Sequence, residues 1–144
     1  MFSILLNSSS HAMAVEPLDL VRLQLTRECR QCDLRAAELE GKRLENVNLA
    51  GADLAEANLQ HANLYQSDLQ DTILQAANLQ WTFLLNSQLN NADLRDANLL
   101  WSTLMRANLT GANLEGANLG GADLRFTIFC NTTMPDGTIN NLNC

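Results

Sequence analysis

Four cysteines are the residues of this 144-residue chain whose type and spacing carry the clearest chemistry. Cys29 and Cys32 lie three positions apart, and Cys130 and Cys144 lie at the other end of the sequence. Four cysteines allow three disulfide pairings in principle, and free buried thiols are the alternative. The Cys29–Cys32 spacing also matches a redox CxxC motif, but the βαβ pattern that activates such thiols is missing. We therefore interpret the cysteines as structural.

Carboxylates and histidines give little support for catalysis. The sequence has no HExxH motif, no glycine-rich phosphate loop and no nucleophile elbow. Its two histidines leave little for acid–base chemistry. Asp93 with Asp96, and Asp53 with Glu56, form carboxylate pairs, and residues 120–123 are a fragment of a calcium-binding β-roll repeat. We interpret these acids as structural and expect no enzyme activity, no cofactor and no metal ion.

A five-residue repeat must position all of these side chains. Every fifth residue from 34 to 124 is leucine, and Phe129 completes a series of twenty. Two residues before each of them stands Ala in eleven units and Ser or Thr in six, the exceptions being Cys32, Lys42 and Val47. A period of five fits neither a helical stripe nor one face of a flat strand. It predicts short extended segments joined by corners, with both repeated positions facing the inside of a solenoid.

The residues around the repeated leucine favour corners. Asp or Asn stands directly before it in thirteen units, where the side chain can bond nearby backbone amides. Five of the seven glycines stand two residues after it, where we expect corners to need permissive dihedral angles.

At the level of single units the chain resembles the pentapeptide repeat proteins, whose unit is A(D/N)LXX. The resemblance covers residues 30–130 and includes Ala52-Asp53-Leu54, Ala57-Asn58-Leu59, Ala107-Asn108-Leu109 and Gly111-Ala112-Asn113-Leu114. It implies an all-β fold, a right-handed quadrilateral β-helix with four pentapeptides per coil and about five coils. With about 4.8 Å between neighbouring strands, such a rod would be roughly 24 Å long.

A rod of this length limits the cysteine pairing. A disulfide needs α-carbons within about 7 Å of each other, so bridges between the two ends are excluded. The same distance argues against one four-cysteine zinc site. Cys29–Cys32 and Cys130–Cys144 therefore remain as disulfide candidates, with free thiols still the alternative.

Disulfides would place the protein in an oxidising compartment. The closing segment also resembles the tails of cyanobacterial pentapeptide proteins, some of which are exported, so we favour the periplasm or thylakoid lumen over the cytoplasm. Residues 1–15 contain the apolar residues Phe2 and 4–6 and a small-residue Ala12-Met13-Ala14 sequence, but no basic n-region and no long h-region. We interpret this stretch as either a disordered tail or a remnant signal peptide.

Both open ends of a solenoid need covering, because exposed strand edges invite pairing. Residues 16–29 are predicted to form an N-terminal capping helix, with Leu18, Val21 and Leu25 on one face. Residues 131–144 break the repeat and contain a Pro-Asp-Gly turn, so they are predicted to cap the other end.

Any function must then lie with the outward-facing residues. Among these, the aromatic residues are informative because most other outward residues are polar. Trp81 and Trp101 stand twenty apart, after His61, and would lie in one column of a four-sided coil. With neighbours on the next face they form a candidate partner-binding patch, named here the aromatic patch: Trp81, Trp101, Phe83, Leu85, Met105 and Tyr65. The alternative is that these side chains only stack on one another and bind nothing.

These features predict a non-enzymatic scaffold that binds a protein partner, as a monomer rather than an oligomer. A net charge of −7 argues against direct binding of nucleic acid, and no stretch is long and apolar enough to span a membrane. The alternative follows family members that resemble duplex DNA in shape and charge and act on DNA gyrase. Here the outward acids share their side of the rod with Arg35 and Arg95, and Ile73 interrupts them.

Overall fold

The computed structural model describes residues 17–144, so the predicted tail or signal peptide at 1–15 lies outside the described residues. Helix α1 spans Pro17–Thr26, and strands β1 (Thr132–Thr133) and β2 (Ile139–Asn140) pair antiparallel near the C-terminus. Between them the chain is joined by isolated parallel bridges from residue 28 to residue 133, each linking a residue to the one twenty positions later. Twenty residues are four repeat units, so each turn of the solenoid has four sides.

Backbone hydrogen bonds join each turn to the next. The leucine N–H donates to the carbonyl nineteen positions later, as Leu59 does to Asn78 at 2.8 Å. The residue before a leucine donates in the opposite direction, as Asn78 does to the carbonyl of Ala57 at 2.9 Å. Every turn of the solenoid is therefore both donor and acceptor towards its neighbours, and among the described residues the groups of this ladder lack a partner only in the first and last turns.

Inside the solenoid lie the two repeated positions that the sequence assigns there. From Leu49 to Leu114 every repeated leucine is fully buried. The small residue two positions earlier is buried beside it, and where it is Ser or Thr its hydroxyl donates to a backbone carbonyl, as Thr82 does to Leu59 at 2.8 Å. Small side chains are needed here because a larger one would not fit within so narrow a cross-section.

Eighteen of the twenty corners are hydrogen-bonded turns in which the residue three after a leucine donates its N–H to the leucine carbonyl, as Ala77 does to Leu74 at 3.1 Å. The residue two after the leucine has positive φ in all twenty units, which is the geometry of a type II turn. Only five of these residues are glycine. The expected permissive dihedral angles are therefore found at every corner, and they do not require glycine, since fifteen other residues adopt φ between 50° and 60°, Trp81 and Trp101 among them.

The thirteen Asp and Asn residues before a leucine all stabilise the corner that follows. In each unit the side-chain oxygen accepts the backbone N–H two residues later, as Asn78 accepts from Gln80 at 3.2 Å and Asp53 from Ala55 at 3.0 Å. The other members of the set behave alike. This satisfies an N–H that no neighbouring turn of the solenoid can reach.

Helix α1 covers part of the N-terminal end, but with a different face from the one predicted. Leu18 and Leu25 are 78% and 79% exposed, and Val21 is also exposed, whereas Leu23 is buried and Leu20 partly buried. The reason is the connection to the rod. The Asp19 carboxylate accepts the Asp33 N–H at 2.8 Å, and this turns the side bearing residues 19, 20 and 23 towards the first turn of the solenoid.

At the C-terminal end a short antiparallel pair and a disulfide form the cap. Met134 continues the inward series and packs against the core. The Asn141 side chain accepts the N–H of Asn131 at 2.7 Å. Cys130 is bonded to Cys144, with α-carbons 4.7 Å apart, and at the other end Cys29 is bonded to Cys32, with α-carbons 5.3 Å apart. These are the two pairs that the rod length leaves open.

Candidate functional site

The aromatic column is the most distinctive surface feature. His61, Trp81 and Trp101 occupy the same corner of three successive turns of the solenoid, because they stand twenty residues apart at the third position of the corner. Their rings are parallel and stacked, with centroids 6.3 Å apart for His61 and Trp81 and 5.6 Å apart for the two indoles. The ring faces between them are therefore occupied, and the ring edges are what the column presents to solvent. The two indoles are 45% and 52% exposed.

Glycines stand at both ends of this column. Gly41 precedes His61 and Gly121 follows Trp101, each with φ of +64°. A Cβ added to Gly121 would lie 2.6 Å from Cδ2 of Trp101, so the indole packs directly on the glycine backbone. A Cβ at Gly41 would meet nothing within 4 Å among the described residues. The repeat pattern places Gly121 at a corner but carries no signal that the Trp101 indole packs on it.

The rest of the aromatic patch lies on the side that follows this corner. Phe83 is 52% exposed and bridges to Asn63 and Thr103 on the turns before and after it. Tyr65, Leu85 and Met105 are half-buried in a column of their own. The structure thus brings the six predicted residues to one corner and the adjoining side of the rod.

Charge is distributed unequally around the rod. We call the stacked segments 58–66, 78–86 and 98–106 the uncharged side, because Arg106 is their only formally charged residue. In place of charges this side carries a row of amides, in which the Asn78 Nδ2 donates to Asn58 Oδ1 at 3.4 Å. The segments that follow each of them along the chain, 67–77, 87–97 and 107–117, carry acids instead: Asp68, Asp71, Asp93, Asp96 and Glu115.

Three aspartates are paired with arginines two residues later: two lie on a charged side, and Asp123 lies one turn beyond Thr103, at the C-terminal end of the uncharged side. Asp93 holds Arg95 through two bonds, Nε to Oδ1 at 2.8 Å and Nη2 to Oδ2 at 2.6 Å, and Asp33–Arg35 and Asp123–Arg125 repeat this geometry. The side chain and backbone N–H of Arg125 hold the pKa of Asp123 down to about 2. The pKa values of the other two aspartates are lowered by the same side-chain bonds.

The carboxylate pairs of the sequence prove to be corner elements. Asp93 and Asp53 each accept the backbone N–H two residues later, which is the bond that every Asp or Asn at this position makes. Near the N-terminus, the Asp19 carboxylate lies close to the sulfurs of Cys29 and Cys32. Those sulfurs are bonded to each other and so offer no thiolate to a metal ion.

Within residues 17–144 no helix is long and apolar enough to cross a membrane, since α1 has ten residues. No protein of curated function matches the sequence. Solved structures do match it. Rfr23, a pentapeptide repeat protein from the cyanobacterium Cyanothece 51142, is 40% identical, with coverage of 76% of this chain and 88% of its own and a TM-score of 0.59.

Two further structures have similar folds. HetL, a pentapeptide repeat protein involved in heterocyst differentiation regulation from Nostoc sp. strain PCC 7120, is 27% identical over 78% of this chain, with a TM-score of 0.61. This chain spans 66% of HetL, just under two thirds of its length. A pentapeptide repeat protein from the Arabidopsis thaliana thylakoid lumen is 25% identical over 74% of this chain and 71% of its own, with a TM-score of 0.55.

The family model for pentapeptide repeats matches residues 32–71, 72–111 and 107–136, which together span most of the solenoid. Proteins of this kind fold as right-handed quadrilateral β-helices. The chain belongs to the pentapeptide repeat family.

Proposed function

We propose that this protein is a non-enzymatic scaffold that binds a protein partner through its uncharged side, with the aromatic patch at the centre of the contact. We take the rod to be right-handed with about five coils, as in the family, so that the patch spans three of them. The observation that carries the proposal is the exposure of Trp81, Trp101 and Phe83 together on a side with almost no charge. Aromatic residues are enriched, and charged ones depleted, at the centres of protein interfaces.

The stacked column favours binding for a second reason. Rings already held by their neighbours lose little conformational freedom when a partner covers them, and ordering side chains is one of the main costs of association. Because the ring faces are occupied, the partner would contact indole edges and N–H groups, together with the amide row beside them. A partner surface that combines apolar side chains with hydrogen-bond acceptors fits this arrangement.

The test compares proteins that co-purify with three versions of the tagged chain from its native host. Trp81→Ala/Trp101→Ala should lose the specific partner, and Ile73→Ala should keep it. Ile73 is the matched control because it is also an outward apolar residue, 40% exposed, but lies on a charged side. Equal recovery of every co-purifying protein with all three versions would overturn the proposal.

The gyrase alternative has less support. A DNA mimic needs rows of unpaired acids, and three aspartates of this rod are held in two-bond pairs with arginine. The column of stacked indoles has no counterpart in a phosphate backbone. A supercoiling assay tests the alternative, and inhibition or protection of gyrase at stoichiometric concentration would revive it.

We further propose that the protein works as a monomer in the periplasm or thylakoid lumen. Two paired disulfides and the similarity to a lumenal plant protein support an oxidising compartment. The intact mass of protein isolated from its host, with and without alkylation of thiols, tests this. Four alkylated cysteines in the native protein would place it in the cytoplasm.

A further inference from the structure

Among residues 17–144, helix α1 is what covers the N-terminal end of the rod, and it covers only part of that end. Helix α1 covers the side where the Asp33 N–H is bonded by Asp19, but not the edge between residues 38 and 43. There the N–H groups of Glu38 and Arg43, and the carbonyl groups of Glu38, Glu40 and Arg43, bond to no described residue. In every later turn of the solenoid the corresponding groups are paired with the turn before. This edge is a site at which one more extended strand could add to the ladder.

A cavity of about 120 Å³ opens beside this edge, between α1 and the first turn of the solenoid. Its apolar walls are buried side chains: Leu23, Leu39, Leu44 and Val47. An engineered cavity of about 150 Å³ with similar walls is large enough to bind benzene. The space here is therefore suited to one aliphatic side chain rather than to a long lipid tail.

Cations line the mouth of the cavity. Arg27, Lys42 and Arg43 line it together with Gln24, and none of the three forms an ion pair with another residue of the described chain. Arg27 is held in place because its Nη1 donates to the carbonyl of Glu45 at 2.6 Å. Lys42 is the one charged residue at the inward small position, and it remains exposed because no turn lies above it there.

The acids nearby are turned away from the cavity, towards the next turn of the solenoid. Asn58 Nδ2 donates to Glu38 Oε2 at 3.0 Å and lies 3.4 Å from Glu40 Oε2, and Asn63 Nδ2 donates to Glu45 Oε1 at 2.8 Å. The mouth is consequently basic in a protein whose net charge is −7. Charge complementarity therefore selects an anionic group.

We propose that this end of the rod binds the C-terminus of an extended peptide that ends in an apolar residue. The last side chain enters the cavity, the α-carboxylate meets Lys42 and its neighbouring arginines, and the peptide backbone pairs with Arg43 along the open edge. A fatty acid would leave the edge groups unpaired. A second copy stacked by its own last turn would bury the Lys42 charge, and inward lysines are a known means of preventing such pairing. The site adjoins the uncharged side, since residues 38 and 43 bridge to residues 58 and 63, but it uses the open end of the rod and not the aromatic patch.

The experiment titrates the full chain with acetyl-Gly-Ser-Thr-Val-Leu bearing a free carboxylate and with the same peptide as its C-terminal amide. We expect the peptide acid to bind at least about tenfold more tightly than the amide, because the amide lacks the charge-assisted bond of the carboxylate. The affinity of the acid should fall as the salt concentration is raised. Lys42→Ala should lower the affinity for the acid to the affinity for the amide. Lys42→Arg should preserve the difference in affinity between the two peptides. Gln24→Phe, on the exposed helix surface, should block both by filling the cavity.

Tryptophan fluorescence and melting temperature check that each variant is folded. Equal affinity for acid and amide, or no binding at about 1 mM peptide, would overturn the proposal. Saturable binding of decanoate without binding of the peptide would also overturn it and would assign the cavity to lipid.

Discussion

Alanine at position 121 should destabilise the protein more than alanine at position 41, although the two glycines share a column and a φ of +64°. In both variants alanine must adopt the left-handed conformation, which costs about 1–2 kcal/mol. Only at 121 does the new methyl group meet an indole, at 2.6 Å from Cδ2 of Trp101. Comparing the two variants cancels the backbone cost and leaves the contact with the tryptophan.

The size of the difference follows from the exposure of Trp101. At 52% exposure the indole can swing outwards, so the full steric overlap is not retained. What is lost is the packing on Gly121 and the stack on Trp81, and an aromatic pair is worth about 0.5–1.5 kcal/mol. We expect Gly121→Ala to cost about 1 kcal/mol more than Gly41→Ala.

Urea unfolding followed by circular dichroism measures both free energies, and tryptophan emission should change in the folded state of the 121 variant alone. In the Trp101→Ala background the difference between the two glycine positions should vanish. If Gly41→Ala and Gly121→Ala lower the free energy of unfolding equally in the wild-type background, within about 0.3–0.5 kcal/mol, the indole does not pack on Gly121 as described.

Three further changes probe corners, ion pairs and the C-terminal cap. Ala76→Gly should raise the free energy of unfolding by about 0.5–1 kcal/mol, because Ala76 has φ of 56°, whereas Ala77→Gly in the core should lower it. Shifts of the urea midpoint in the same direction for both variants would contradict this. The pKa of Asp123 is lower in the folded protein than in the unfolded chain, so its stabilisation is present above about pH 4 and lost as the pH falls towards 2. Asp123→Asn should therefore flatten the loss of stability between pH 4 and pH 2, and an unchanged acid profile by circular dichroism would refute the pairing. Replacing Cys130 and Cys144 with serine should cost about 3 kcal/mol for a separation of 14 residues, and an unchanged melting temperature would show that the bridge does not form.

Much of the fold follows from the period of five. It assigns each Leu and its small neighbour to the inside, and the thirteen Asp and Asn residues to corners, because both assignments depend on local geometry that repeats without interruption. The disulfide pairs follow from the length of the rod. The docking of α1 does not follow from periodicity, since the helix has two apolar faces and the bond from Asp19 to Asp33 decides between them.

The backbone conformation of the corners without glycine could not be predicted from the sequence either. Glycine at five corners indicated positive φ there, but nothing in the pattern showed that residues as large as Trp81 adopt it as well. They do so because hydrogen bonds to the turns on either side hold the backbone in place. The interactions between stacked turns offset the free-energy cost of the left-handed conformation.

At the candidate site the spacing of twenty placed Trp81 and Trp101 in one column. It could not tell whether their faces would be free or stacked, because ring orientation depends on the absence of a side chain at Gly121. The cavity at the N-terminal end was missed for a similar reason. Lys42 was the available signal, as the single charged residue at an inward position, but its neighbours become apparent only when α1 is in place.

Site-specific photocrosslinking in the native host tests whether a protein partner covers the uncharged side, and it needs no knowledge of that partner. Phe83 and Ile73 occupy the same position of their repeat units and are 52% and 40% exposed, but lie on different sides of the rod. With p-benzoylphenylalanine at one position or the other, we expect a discrete covalent adduct from position 83 and none from position 73. The same adducts from both positions, or an adduct from 73 alone, would contradict it.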